Sequence, residues 1–216
     1  MKTDKKIQED VMREMEWDPE ITDATDIGVA VEDGIVTLSG QVGSYWEKEA
    51  AEKAAKRVKG VTGVAQEMVV KYAGMPRTDA DIADATVNSI KWNTTIPNEK
   101  VTVKVENGWV TLEGEVEWEY QKIAAKNTVE KIKGVKDVSN LITIKPKVQA
   151  PIVKNKIKDA LERSADIEAD RIQVETEGNK VILKGKVRTW SEMNEVERAA
   201  WSAPGVMSVE DNMTIL

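Results

Sequence analysis

The chain has no cysteine, no histidine and no phenylalanine. Without cysteine there are no disulfides and no thiolate nucleophile. Without histidine there is no imidazole relay, and with both missing the ordinary zinc sites are excluded. No apolar run approaches the roughly 20 residues that cross a bilayer as a helix. Excess positive charge is also lacking: 31 Lys and Arg stand against 38 Asp and Glu, for a net charge of −7. Nucleic-acid binding needs a basic footprint, so no nucleic-acid partner is expected. Anionic membranes repel such a chain on average. Most of the imbalance falls within the stretch 1–72, where acidic side chains clearly outnumber basic ones.

Phosphate and calcium loops are missing too. Gly185-Lys186 is followed by valine, where a phosphate-binding loop needs Ser or Thr. Asp23-Ala-Thr-Asp26-Ile-Gly28 lacks the alternating ligands of a calcium loop. No cofactor or metal is expected. No nucleophile–base constellation is present, so the chain reads as non-enzymatic. The segment Met1–Asp10 has no apolar run of the kind a signal peptide carries. The expected location is the cytoplasm, or the periplasm if a signal peptide has been removed.

What is present is a repeated segment. Gly34-Ile-Val-Thr-Leu-Ser-Gly40-Gln-Val42 recurs as Gly108-Trp-Val-Thr-Leu-Glu-Gly114-Glu-Val116 and as Asn179-Lys-Val-Ile-Leu-Lys-Gly185-Lys-Val187. A second glycine follows each anchor glycine at one fixed interval: Gly60 after Gly40, Gly134 after Gly114 and Gly205 after Gly185. The anchors themselves recur at nearly equal spacing, too long for one solenoid turn and suited to a complete small domain copied twice. Domains are expected at 1–72, 77–145 and 149–216. Ala73-Gly74-Met75-Pro76-Arg77 and Lys145-Pro146-Lys147-Val148-Gln149-Ala150 are the joining segments, stiffened by proline.

Each copy reads as helix, strand, strand, helix, strand. Asp4, then Thr78 or Asp79, can cap the first helix, and Pro151 suits a first turn. Ile7, Val11 and Met15 recur at helical spacing; Ile82, Val87 and Ile90, then Val153, Ile157 and Leu161, are their counterparts. Alternation marks the first strands at Ile27, Val29 and Val31, at Val101, Val103 and Val105, and at Ile172, Val174 and Thr176. Asp33-Gly34, Asn107-Gly108 and Gly178-Asn179 supply the hairpin turns. The anchor glycine implies a bulge or a close passage of backbone. The second helix starts near Trp46, Tyr120 and Ser191 with an alanine-rich stripe. The second glycine fits a left-handed helix terminator.

The fold class is therefore α+β: three tandem αββαβ domains, each a three-stranded mixed sheet with two helices on one face. The open face carries Ala30, Thr37 and Ser39 in the first copy, and Lys104, Trp109 and Thr111 in the second.

Large rings follow each anchor glycine: Tyr45 and Trp46, Trp118 and Tyr120, and Trp190. One reading has them cover the first turn of the second helix like a hydrophobic staple. The other has them dock into a partner or membrane interface, gaining from repetition on one chain. Trp109 packs on a neighbouring repeat, or makes a ligand or oligomer contact. Trp17, Trp92 and Trp201 read as core or inter-repeat packing. Lys122, Lys126, Lys131, Lys133 and Lys136 form a solvated helical face or a phosphate-seeking one.

The valine-rich strand, Asn/Asp-Gly turn, Val-Thr-Leu-x-Gly-x-Val segment, alanine-rich helix and Gly-Val-x-x-Val closing strand resemble the BON domain family, named for bacterial OsmY and nodulation proteins. The resemblance covers nearly the whole chain as three copies. The second is nearest to the pattern, through Gly134-Val135-Lys-Asp-Val138 and Asn140. The first has Gln66 for the late asparagine, and the third has Asn212 one place later. The resemblance implies non-catalytic modules, an osmotic-stress setting and association with phospholipid membranes. The expectation is a binding module that engages a phospholipid surface or protein partner. The alternative is a structural protein that self-associates into oligomers or filaments through exposed strand edges.

Overall fold

The computed structural model describes residues 2–72, 74, 77–145, 154–164 and 167–216. Most of the two expected joining segments, together with Pro151 and Val153, lies outside the described residues.

The first copy runs α1 (Asp4–Trp17), β1 (Ile27–Glu32), β2 (Ile35–Val42), α2 (Tyr45–Arg57) and β3 (Gly63–Val70). The second runs α3 (Asp79–Trp92), β4 (Val101–Glu106), β5 (Trp109–Val116), α4 (Glu119–Glu130), β6 (Asp137–Asn140) and β7 (Thr143–Ile144). The third runs α5 (Lys154–Glu162), β8 (Ile172–Glu177), β9 (Lys180–Val187), α6 (Trp190–Trp201) and β10 (Ser208–Ile215). A single 3₁₀ turn precedes each first strand, at Ala24–Asp26, Asn98–Lys100 and Ala169–Arg171.

The sheets are mixed, as expected. β1 pairs antiparallel with β2, and β3 pairs parallel with β2. The same order holds for β4-β5-β6 and for β8-β9-β10. In the second copy the closing strand is broken in two, and β7 also pairs with β5. Ile7, Val11 and Met15 of α1, the alanines of α2, and Val36, Leu38 and Val42 of β2 form one buried core. Both helices therefore cover the same sheet face. The third copy repeats this with Ile157, Leu161, Val174, Leu183 and Val196.

The anchor glycines mark a close approach of backbone. A Cβ at Gly40, Gly114 or Gly185 would overlap the carbonyl oxygen of Asp26, Lys100 or Arg171, the last residue of the 3₁₀ turn crossing beneath it. Their φ angles of 112°, 142° and 139° also favour glycine.

Three expectations are corrected. Gly60, Gly134 and Gly205 do not terminate helices. Each is the third residue of a separate tight turn, closed by Val61 N–H to Val58 C=O and its two counterparts. That place demands positive φ in a type II turn. Asp4 does not cap α1; Thr3 does, accepting the N–H of Lys6. Asp4 instead receives the N–H groups of Asp33 and Gly34, both at 3.0 Å, and so clamps the hairpin turn. Asp79 does the same to Asn107 and Gly108 at 2.7 and 2.8 Å. Finally, Val87 is 51% exposed. Thr86 takes the core position because 82, 86 and 90 share one helical face. Its hydroxyl is satisfied by the Ile82 carbonyl.

Two compact units are formed: Met1–Gly114 with Gln121–Thr143, and Glu115–Tyr120 with Ile144–Leu216.

Candidate functional site

The loop aromatics do not form three like sites. Ser44 caps α2 through the N–H of Glu47, which makes Tyr45 the first helical residue. Tyr45 is only 4% exposed, and its hydroxyl donates to Glu49 at 2.9 Å. It cannot meet a partner from there. Trp46 is half-buried, with the ammonium of Lys131 4.3 Å and that of Lys53 4.9 Å from its ring centroid. Trp190 packs against the core of the third copy. Trp118 and Tyr120 remain 39% and 57% exposed, with stacked rings 6.5 Å apart. Trp109 is 55% exposed on β5, beside the buried Val110.

The first two copies meet through part of this set. Lys126 of α4 lies 3.1 Å from Glu49 of α2 and 3.2 Å from Glu130, one turn along its own helix. Burial favours a neutral Glu49 carboxyl, but the Lys126 charge outweighs it and holds the group below the usual carboxylate range. Burial also works against a charged Lys126, and the Glu49 charge reverses that, raising the ammonium above its ordinary value. Burial, then Glu49, pushes the Tyr45 phenol far up, so it stays protonated. Lys126 and Lys131 of the basic run thus reach the first copy, through Glu49 and the Trp46 ring, while Lys131, Lys133 and Lys136 are exposed.

The exposed rings that sequence reasoning passed over are Trp17 and Trp92. Both end the first helix of their copy, and both are 85% exposed rather than packed. The signal was present in the spacing. Each lies two positions beyond a core residue, Met15 or Ile90, which turns it about 200° off the buried face. Beside Trp17 a cleft is lined by Lys2, Arg13, Arg57 and Lys59 together with Asp10 and Glu14. Arg57 is held there by Glu14 at 2.8 Å and Asp18 at 2.6 Å.

No group of His, Cys, Asp and Glu suited to holding a metal occurs among the described residues. No helix among them is long and apolar enough to cross a membrane.

Three α+β copies with matching glycine clamps are what the family comparison meets. The BON domain model matches residues 3–72, 78–146 and 150–216. The chain belongs to the BON domain family. Its three BON domains stand in tandem, and the late amide shows how far each keeps the pattern. Asn140 donates to the Lys122 carbonyl at 2.8 Å, and Gln66 makes the same bond to Lys48 at 3.2 Å. In the third BON domain that register position is Asp211, opposite Leu183.

The osmotically-inducible protein Y of Escherichia coli K12 is 35% identical over 127 residues. The match covers 54% of this chain and 61% of that protein's length. The C-terminal domain of CdsD, a structural protein of the type III secretion system of Chlamydia trachomatis, aligns over 96% of both chains at 12% identity and a TM-score of 0.27. A second CdsD structure aligns at 13% identity and 0.25. At those scores the likeness carries no argument.

Proposed function

We propose that this chain is a non-enzymatic binding protein of osmotic stress that docks reversibly on phospholipid surfaces through Trp17 and Trp92. The observation behind the reading is that both indoles are 85% exposed at the same place in two BON domains. Indole suits the zone between headgroups and acyl chains, where one edge is wet and the ring is apolar. Two weak anchors on one chain reinforce each other. The cations beside Trp17 are paired with carboxylates, Lys2 with Asp10 and Arg57 with Glu14 and Asp18, so the indoles carry the attachment and the net charge of −7 keeps it weak and reversible. The osmotic setting is extended to this chain from the relative's name on 35% identity.

Co-sedimentation with phosphatidylcholine vesicles tests it. Wild type is expected to pellet with the vesicles, and Trp17→Ala with Trp92→Ala to weaken this by about tenfold or more. Adding anionic lipid should reduce binding at low salt, because the protein is itself acidic. Undiminished binding by the double variant ends this reading. A loss confined to Trp118→Ala with Tyr120→Ala moves the anchor to the loop.

A further inference from the structure

We propose that β4 is a self-pairing edge, through which a second copy of this chain joins the sheets of two repeat-two domains into one continuous sheet with Val103 on the two-fold axis. This is independent of the membrane reading. The order β4-β5-β6 leaves β4 with a single neighbour. The N–H of Val101 bonds back to Asn98 rather than across to β5. Strand alternation then turns the C=O of Val101 and the N–H and C=O groups of Val103 and Val105 toward the open edge, with the Val101 N–H held by Asn98. In β1 the equivalent edge is occupied, because Gln8 donates to the Val29 carbonyl at 2.6 Å. Repeat two has Ala83 where repeat one has Gln8, and among the described residues no side chain takes that role on Val103.

The edge is apolar as well as unpaired. Val101, Val103 and Val105 are each only half-buried. A groove beside them is lined by Val87, Ile90, Lys91 and Asn98. At the first of these positions the other copies are covered, Ile27 being 4% and Ile172 5% exposed; in repeat three Val174 is also covered at 1%, while Val29 and Val31 of repeat one are half-buried like Val103 and Val105.

Charge selects the occupant and the register. A two-fold axis at Val103 sets Val101 against Val105 of the second copy and engages the whole strand. It also sets Lys100 against Glu106 of the second copy at both ends, and Thr102 against Lys104. An axis at Lys104 would oppose that lysine to itself, which like-charge repulsion disfavours. An axis at Val105 leaves Val101 and Lys100 with no residue of the second copy's strand opposite them, so the overlap shortens and both end charge pairs are lost. Neither other copy offers this combination. In repeat one the same pairing opposes Asp26 to Glu32, two like charges. In repeat three the end charges match, as Arg171 and Glu177, but the valine and isoleucine have nothing left to cover. A β-branched, self-complementary strand fits its own copy better than it fits a neutral strand, which Lys104 blunts.

Sedimentation velocity on the full chain, up to about 1 mM, tests the proposal. A concentration-dependent dimer is expected. Val103→Pro removes the N–H on the axis at an edge position that tolerates proline, and should leave a folded monomer. Lys100→Glu and Glu106→Lys should each weaken the dimer by about tenfold or more, and mixing the two variants should restore it. Within one chain these residues lie about 20 Å apart, beyond the screening length, so rescue on mixing reports pairing between chains. A wild type that stays monomeric, a Val103→Pro variant that still dimerises, or folded charge variants that fail to associate on mixing each overturn it.

Discussion

At Gly114 two demands coincide: a φ of 142° and a carbonyl, from Lys100, in the space a methyl group would fill. Gly178 has a φ of 59° but nothing within 4 Å of its missing Cβ. The two glycines separate strain from collision. Gly178→Ala should cost about 1–2 kcal/mol, the left-handed penalty alone. Gly114→Ala should cost about 3 kcal/mol or more, because backbone must also move. Urea unfolding of the two variants checks this, and equal losses would remove the role given to the 3₁₀ crossing. Recurrence at a fixed interval made these glycines legible in the sequence. The identity of the crossing carbonyl was not, because it comes from the turn ahead of the first strand, which carries no motif.

Among the elements, the second helices carry the main departures from symmetry. Glu47 at the start of α2 receives the N–H groups of Thr22 at 2.6 Å and Gly43 at 2.9 Å. Glu192 of α6 does the same for Glu168 and Arg188 at 2.9 and 2.7 Å. Each buried carboxylate ties the end of the first-helix loop to the start of the second helix. In sequence it looks like any first-turn glutamate. In repeat three, β10 faces α6 with Asp211 where Gln66 and Asn140 stand in the other copies, and Glu197 of α6 lies near it. Burial, then the Asp211 charge, raises the Glu197 pKa. The folded state therefore holds that proton more tightly than the unfolded chain, so stability falls as pH rises through the folded value. Glu197→Gln is expected to stabilise repeat three by about 0.2–1 kcal/mol at neutral pH, and to flatten the fall. Thermal melts at acidic and neutral pH measure both. An unchanged or lower neutral melting temperature contradicts the like-charge account.

For the molecule, the charged contact between α2 and α4 decides whether the first two BON domains act together. Glu49 has a lowered folded pKa. Its contribution is present above its unfolded value, about 4.3, and is lost as pH falls through the lower folded value. Lys126 has a raised folded pKa, so its share is present below about 10.4 and lost as pH rises through the higher one. The contact holds between those limits. Lys126→Met leaves Glu49 and the deeply buried Glu130 without their cation. After allowance for the third of Lys126 that meets water, the loss should be about 1–3 kcal/mol in urea unfolding at pH 7. It should shrink as acid neutralises Glu49. A loss that stays constant into acid would mean Lys126 serves packing alone.

The α+β order of the three copies, their strand pairing and their buried strand faces follow from the sequence by itself. Glycine conformation and period-two or period-3.6 alternation are local properties, repeated three times in one chain. Which rings face water was decided only by the tertiary structure. Tyr45 and Trp118 follow like-placed glycines, yet one is 4% exposed and the other 39%. Trp17 and Trp92 read as core or inter-repeat packing and stand in solvent. Exposure depends on what the rest of the chain brings against a side chain, and those neighbours lie far away along the sequence, outside any local pattern.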